Sequence, residues 1–236
     1  MRKFIVLVFL VLATLFLLST VSKMPIMGDP DNPTNKMAAS QYITKEPQET
    51  GCNNLVSAII LNYRIYDTFG EVTVIFVTLV AALAILGREK AREGSYSLKV
   101  SPSPLVSTAM IIYIPFFIIF SFYVAINGFN SIGGGFQGGI VLASVVIIYT
   151  LIFGFDEAVK KFPVRKRVFL ECLAPLCFAT LGLISILAGK SFLNLNFLDI
   201  PNFRRFLILI LEVSIALTSG AVISSLFFIL KKTEGK

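Results

Sequence analysis

Residues 127–139 read N-G-F-N-S-I-G-G-G-F-Q-G-G, and six of these thirteen positions are glycine. The runs on either side, Leu105 to Ile126 and onward to about Phe155, are apolar and long enough to span a bilayer. Glycine tolerates positive φ and lets a second backbone come close, so such a cluster marks a helix break or a tight packing point. Gly133, Gly135 and Gly138 also spell G-x-G-x-x-G. A dinucleotide site, however, needs a short strand in a soluble βαβ unit before that pattern, and these flanks are membrane-like helices. Read as small-xxx-small pairs, Gly134 with Gly138 and Gly135 with Gly139 put glycine on a helix-contact face.

Outward from this stretch the chain keeps the same character. Hydrophobic residues make up 56% of its 236 positions, charged ones 15%, and mean hydropathy is +0.82. Soluble domains carry about a quarter charged residues, and their apolar positions form stripes instead of runs of about 20. The expected fold is an all-α integral membrane protein with about six transmembrane helices and one short interfacial helix. The net charge of +7 does not indicate nucleic acid, because the basic residues lie between apolar runs and not on one polar face. Cys52, Cys172 and Cys177 show no C-x-x-C spacing and the chain has no histidine. No cofactor is therefore expected on this chain.

The expected spans are residues 4–21, 69–87, 105–126, the run after the glycines to about 155, 168–188 and 206–230. The first follows Arg2 and Lys3, exceeds the apolar core of a signal peptide and has no A-x-A site after it. Residues 23–54 read as an irregular loop, and Leu55 to Leu61 as a helix at the interface held by Tyr63 and Tyr66. A polar link over 88–104, closed by S-P-S-P, divides the chain into two modules, 1–100 with two spans and 101–236 with four. Pro115 and Pro175 are expected to kink or break their helices. The residue 156–167 run reads as a solvated basic loop. Fourteen basic residues fall on the side of the termini and six on the other, so both termini are expected in the cytoplasm.

An ionisable side chain at the centre of a span costs about 2.5–3.5 kcal/mol on insertion scales, so each one calls for a reason. Arg64, Asp67 and Glu71 recur at i, i+3 and i+7, which forms a polar track entering the bilayer if the helix is continuous. The alternative is local: Thr68-x-x-Glu71 is a capping box, with Thr68 starting the helix and Glu71 reaching back to it. Glu171 stands near a helix start, where a carboxylate suits the dipole. Glu212 lies six residues into the expected last span, which favours an ion-path or interhelical hydrogen-bonding role.

Two stretches carry a resemblance. N-Y-R-I-Y-D-T-F-G-E-V, Asn62 to Val72, looks like the C-terminal portion of the A subunit of Mrp-type multisubunit sodium/proton antiporters. The second half resembles the B subunit of that family, through S-P-L-V near Ser103, a helix containing Pro115, and G-G-G-F-Q-G-G at Gly133 to Gly139. Joining these two pieces in one chain resembles archaeal membrane-bound respiratory complexes related to complex I, the [NiFe] hydrogenase and, more closely, its sulfane-sulfur reductase relative. The resemblance implies a non-catalytic subunit of a sodium/proton-translocating module in a plasma membrane, the alternatives being a subunit of a stand-alone Mrp-type antiporter or a purely structural scaffold. Its partners would be other antiporter-like membrane subunits in a hetero-oligomer and the lipid bilayer, with no nucleic acid. The ion carried would be Na+ or a proton, with iron-sulfur clusters, alone or together with nickel-iron, on partner subunits. Asp67 and Glu71 match the family's acidic pair, with Arg64 and Glu212 as further ion-path candidates. Gly133, Gly134, Gly135, Phe136, Gly138 and Gly139 match its glycine signature, here without the histidine that commonly precedes it.

Overall fold

The computed structural model describes residues 2–87 except 25, 27, 30, 33–35, 37 and 38, and residues 103–234 except 199 and 201. The polar link, apart from Ser103 and Pro104, and several loop prolines therefore lie outside the described residues. The chain divides into two compact units, Met1–Lys45 and Glu46–Lys236.

The first unit contains α1 (Arg2–Ser22), which carries a shorter apolar stretch, Val6–Ser22. Two polar side chains are absorbed by the helix itself: Thr14 Oγ1 donates to Leu10 O (2.8 Å) and Thr20 Oγ1 to Phe16 O (2.9 Å). The segment expected to be an irregular loop holds a helix, α2 (Ser40–Thr50).

Among the described residues of the second unit, five helices are long and apolar enough to cross a membrane: α4 (Ile65–Leu86), α5 (Pro104–Asn127), α6 (Gly135–Phe153), α8 (Val164–Leu187) and α9 (Phe203–Glu234). Two of the boundaries have a clear local cause. Ser103 caps α5 by accepting from Val106 N, with Pro104 in the first turn. Gly154, at φ 92°, ends α6 and starts the short α7 (Phe155–Lys161). The expected solvated basic loop is thus part helix, and Lys160 there sits above its ordinary pKa because Glu157 hydrogen-bonds it at 2.7 Å. Before α4 the chain forms α3 (Leu55–Ala58) and one π-helical turn, Ile59–Tyr63, with Ala58 and Leu61 fully buried. Arg64, at φ −113° and ψ 31°, separates that turn from α4.

Two thirds of the α9 span is buried, against 11% for α4 and for α5. The bundle is therefore organised on α9. Phe178, Ile208, Leu211 and Ile215 form its main apolar cluster with Leu61 and Phe129, and the Phe69 ring stacks on Phe178 at 5.8 Å. Leu79 of α4 meets Val222 and Ile229 one end further along. Close approach to α9 depends on glycine. A Cβ on Gly139 would stand 1.8 Å from Ser219 Oγ and 2.8 Å from Ala216 O, and one on Gly135 2.4 Å from Glu212 O. Gly138 faces α5 instead, with Ser121 O 2.7 Å from its would-be Cβ.

Neither internal proline breaks its helix. In α8 the strain at Pro175 is met by an inserted hydroxyl: Ala174 N donates to Thr218 Oγ1 (2.8 Å), which donates to Leu170 O (2.8 Å). The α9 side chain thus replaces one rung of the α8 ladder next to the rung that proline removes.

In the full chain in detergent, Gly139→Ala should lower the thermal midpoint, by about 1–3 kcal/mol of overpacking at the α6–α9 contact. Gly70→Ala, where nothing lies within 4 Å, should leave stability equal or higher by roughly 0.5–1 kcal/mol.

Candidate functional site

The glycine stretch forms the loop from Gly128 to Gly134. It folds back on the last turn of α5, where Val124 O accepts from both Gly128 N (3.2 Å) and Gly134 N (3.1 Å). Gly128 and Gly134 touch: a Cβ on Gly128 would lie 2.5 Å from Gly134 Cα, and one on Gly133 2.6 Å from Val124 O. Gly134, at φ 137°, occupies a conformation that side chains rarely adopt. It precedes the helix, so Gly134 and Gly138 do not share a helix face as the small-xxx-small spacing predicts. Phe136 packs at the edge of the main cluster.

A segment that sequence reasoning passed over straps this loop. Asn54 caps α3 through Oδ1, which accepts from Val56 N (3.1 Å), and its Nδ2 donates to Gly128 O and Ser131 O, both at 2.7 Å. Ser57 Oγ donates to Gly128 O (2.9 Å), while Cys52 Sγ (2.9 Å) and Asn54 N (3.2 Å) both approach Phe129 O. The carbonyls freed by the glycine break are thereby satisfied, as a low-dielectric setting demands. The available signal was Asn54 ahead of an apolar run, an N-cap pattern.

Glu212 approaches the same loop from α9. It is 2% exposed and stands nine residues on from Phe203, about 13.5 Å along the helix. Gly135 N, the first N–H of α6, donates to Glu212 Oε2. Glu212 Oε1 is buried with no hydrogen-bond partner. The Ser57 hydroxyl lies beside the carboxylate, and Arg205 is drawn over the Phe129 ring at 4.6 Å.

The other acidic candidates are elsewhere. Arg64 Nε donates to Asp67 Oδ2 at 2.6 Å in an exposed pair, and Glu71 is exposed on α4 beside the buried Val72. Exposed pairs of this kind contribute about 0–1 kcal/mol. The capping box does not form. Thr68 is buried a turn inside α4 and its Oγ1 donates to Ile60 O (2.6 Å), tying the π-helical turn to α4. The structure therefore does not bring Glu71 and Glu212 together, because they leave their helices on outer and inner faces. Glu171, expected to serve the helix dipole, is instead buried and accepts from Ser225 Oγ at 2.5 Å, because α8 begins four residues earlier than its apolar run. Arg167, expected in a solvated loop, is buried with its guanidinium 4.4 Å from the Phe228 ring centre. Among the described residues no group of three or more His, Cys, Asp or Glu could hold a metal ion.

Comparison with known proteins gives two family matches. Residues 105–228 match the domain related to the MnhB subunit of Na+/H+ antiporter, and residues 9–101 match the MbhE family of MBH subunits. An uncharacterized protein of Methanocaldococcus jannaschii is 26% identical over 169 residues, 65% of this chain and 63% of that protein. A Staphylococcus aureus (strain Newman) protein named for antiporter subunit mnhB2 is 32% identical over 87 residues, 37% of this chain and 60% of its own length. The chain thus spans about three fifths of the length of these curated relatives. Among solved structures, a chain of the membrane-bound sulfane sulfur reductase (MBS), an archaeal respiratory membrane complex, matches over 98% of both chains with TM-score 0.66 and 24% identity. A chain of the Mrp complex from Dietzia sp. DQ12-45-1b matches over 97% of this chain and 26% of its own, with TM-score 0.62 and 24% identity. At these identities the structures share the fold.

Asn54→Ala removes the strap from Ser131 and the cap from α3. It should destabilise the chain by about 1–3 kcal/mol and speed amide exchange across residues 128–134. Asn53→Ala, at an exposed neighbour, should change neither quantity.

Proposed function

The chain belongs to the family of domains related to the MnhB subunit of Na+/H+ antiporters, and from that premise we propose a non-catalytic subunit in the sodium/proton-translocating module of a respiratory membrane complex. The observation that carries this reading is the end-to-end correspondence with one chain of the sulfane sulfur reductase complex, 98% of each. The match to the MbhE family, followed by the match to the MnhB-related domain, supports the same order of pieces. The second reading, a subunit of a stand-alone Mrp-type antiporter, has the Dietzia likeness behind it. There, however, the corresponding chain is far longer, with only 26% of it covered.

In this role the chain packs between other antiporter-like membrane subunits, with both termini in the cytoplasm. Any iron-sulfur or nickel-iron centres belong to those partners. The outward face of α4 is the reason for partners: Glu71 is exposed within a span, and a carboxylate facing lipid is costly unless a neighbouring subunit or water covers it. Glu71 carries the ion at that interface, with Arg64 and Asp67 setting its field. Glu212 is the second carboxylate of the path, reached from inside this chain.

In the intact complex, Glu71→Gln should sharply lower sodium-dependent transport while assembly and redox activity persist. Transport assays in inverted vesicles, with complex recovery checked by mass spectrometry, test this. Unchanged transport in an assembled variant removes Glu71 from the path. Co-purifying partners decide between the two readings: redox subunits indicate the respiratory complex, and antiporter subunits alone indicate the stand-alone exchanger.

A further inference from the structure

Glu212 is only half used by the fold. One carboxylate oxygen caps α6, and the other, in a residue 2% exposed, has no hydrogen-bond partner, since the one proton of the neighbouring Ser57 hydroxyl goes to Gly128 O. A helix N-terminus offers a carboxylate about half a compensating charge. The remainder, in a membrane-spanning helix, calls for a cation or a proton. The cationic side chain on the same helix face seven residues earlier, Arg205, is engaged over the Phe129 ring.

The space beside Glu212 is lined by oxygen. Where a Cβ on Gly134 would stand, Gln137 Oε1 is 3.0 Å away, Glu212 Oε2 3.5 Å and Glu212 Oε1 3.7 Å. The buried Ser57 hydroxyl adds another oxygen beside the carboxylate. Gln137 is exposed while Gly134 and Glu212 are buried, so the amide stands between the carboxylate and the exterior. The φ of 137° at Gly134 keeps a side chain out of that space. One anionic oxygen, an amide oxygen and a hydroxyl form a hard donor set with a single negative charge. Such a set suits a small monovalent cation better than a divalent ion, which takes several carboxylates, or a soft metal, which takes thiolate or imidazole.

We propose that Glu212, Gln137 and Ser57 bind one sodium ion beside Gly134, whose lack of a side chain lets these oxygens approach one another. The site deepens the transport role and rests on it for its purpose, while its existence is measured separately. The ion reaches Glu212 past Gln137, and Oε1, not the Oε2 that holds α6, is its anchor. Helix capping and ion binding thus use different atoms of one carboxylate.

The intact complex, purified from its membrane, is treated at one fixed pH with dicyclohexylcarbodiimide, which modifies carboxyl groups in apolar surroundings. Choline chloride, potassium chloride and sodium chloride are compared at equal ionic strength. The peptide containing residue 212 is followed by mass spectrometry, with the Glu71 peptide read in the same digest. Sodium at ten times its dissociation constant should reduce labelling of residue 212 roughly tenfold, and choline should not. Gln137→Leu leaves the Gly135–Glu212 cap in place and should abolish most of that protection. Labelling of residue 212 that is the same in sodium and choline overturns the site, as does a residue 212 that no salt leaves reactive. Protection that survives in Gln137→Leu overturns the ligand set. Loss of transport in Glu71→Gln with sodium-independent labelling at residue 212 keeps the subunit role and removes only this site. Protection at residue 212 in a complex that moves no sodium keeps the site and removes the transport role.

Discussion

The N–H of Gly135 has one partner, and it comes from another helix. Three glycines in a row leave the start of α6 without a side chain to cap it, and in a bilayer no water replaces the missing acceptor. Glu212 of α9 supplies that acceptor. The cap holds α6 against α9 at the distance that Gly135 and Gly139 permit, and a methyl group at either position would meet α9 backbone. Deep burial of α9 follows, because α4, α6 and α8 all pack on it.

The same economy of polar groups recurs along α9. Thr218 enters the α8 ladder between Ala174 and Leu170, and Ser225 donates to Glu171. Hydroxyls from one helix thus satisfy groups in another where proline or an acidic side chain would otherwise be stranded. Interhelical hydrogen bonds of this kind contribute about 0.6–2 kcal/mol each in membranes, and small residues at the contact make them reachable. A chain that buries this much polarity on one helix gains a fixed register between helices as well as stability.

The outer faces are different in kind. Large apolar side chains of α4 and α5, among them Val74, Val77, Phe116 and Ile119, are exposed, and Glu71 and the Arg64–Asp67 pair lie on the outward side of α4. Lipid can cover the apolar part. The charged part is costly against lipid and suits a surface that protein or water covers.

Hydropathy alone determined the membrane class and the long helices, because a run of about 20 apolar residues has few stable states besides a span. The N-Y-R-I-Y-D-T-F-G-E-V and G-G-G-F-Q-G-G stretches, local in sequence, carried the family. Three-dimensional packing decided the rest. Thr68 and Glu71 had the spacing of a capping box, but the chain was already helical at Ile65 and Thr68 turned to Ile60 O. Asn54 and Ser57 gave no sign of meeting the Gly128 and Ser131 carbonyls, since those contacts depend on how a loop 70 to 80 residues away folds back. Local pattern reports which backbone state a segment prefers. Which oxygen meets which N–H across helices is set only when the helices pack, because every buried polar group must then find its partner at once.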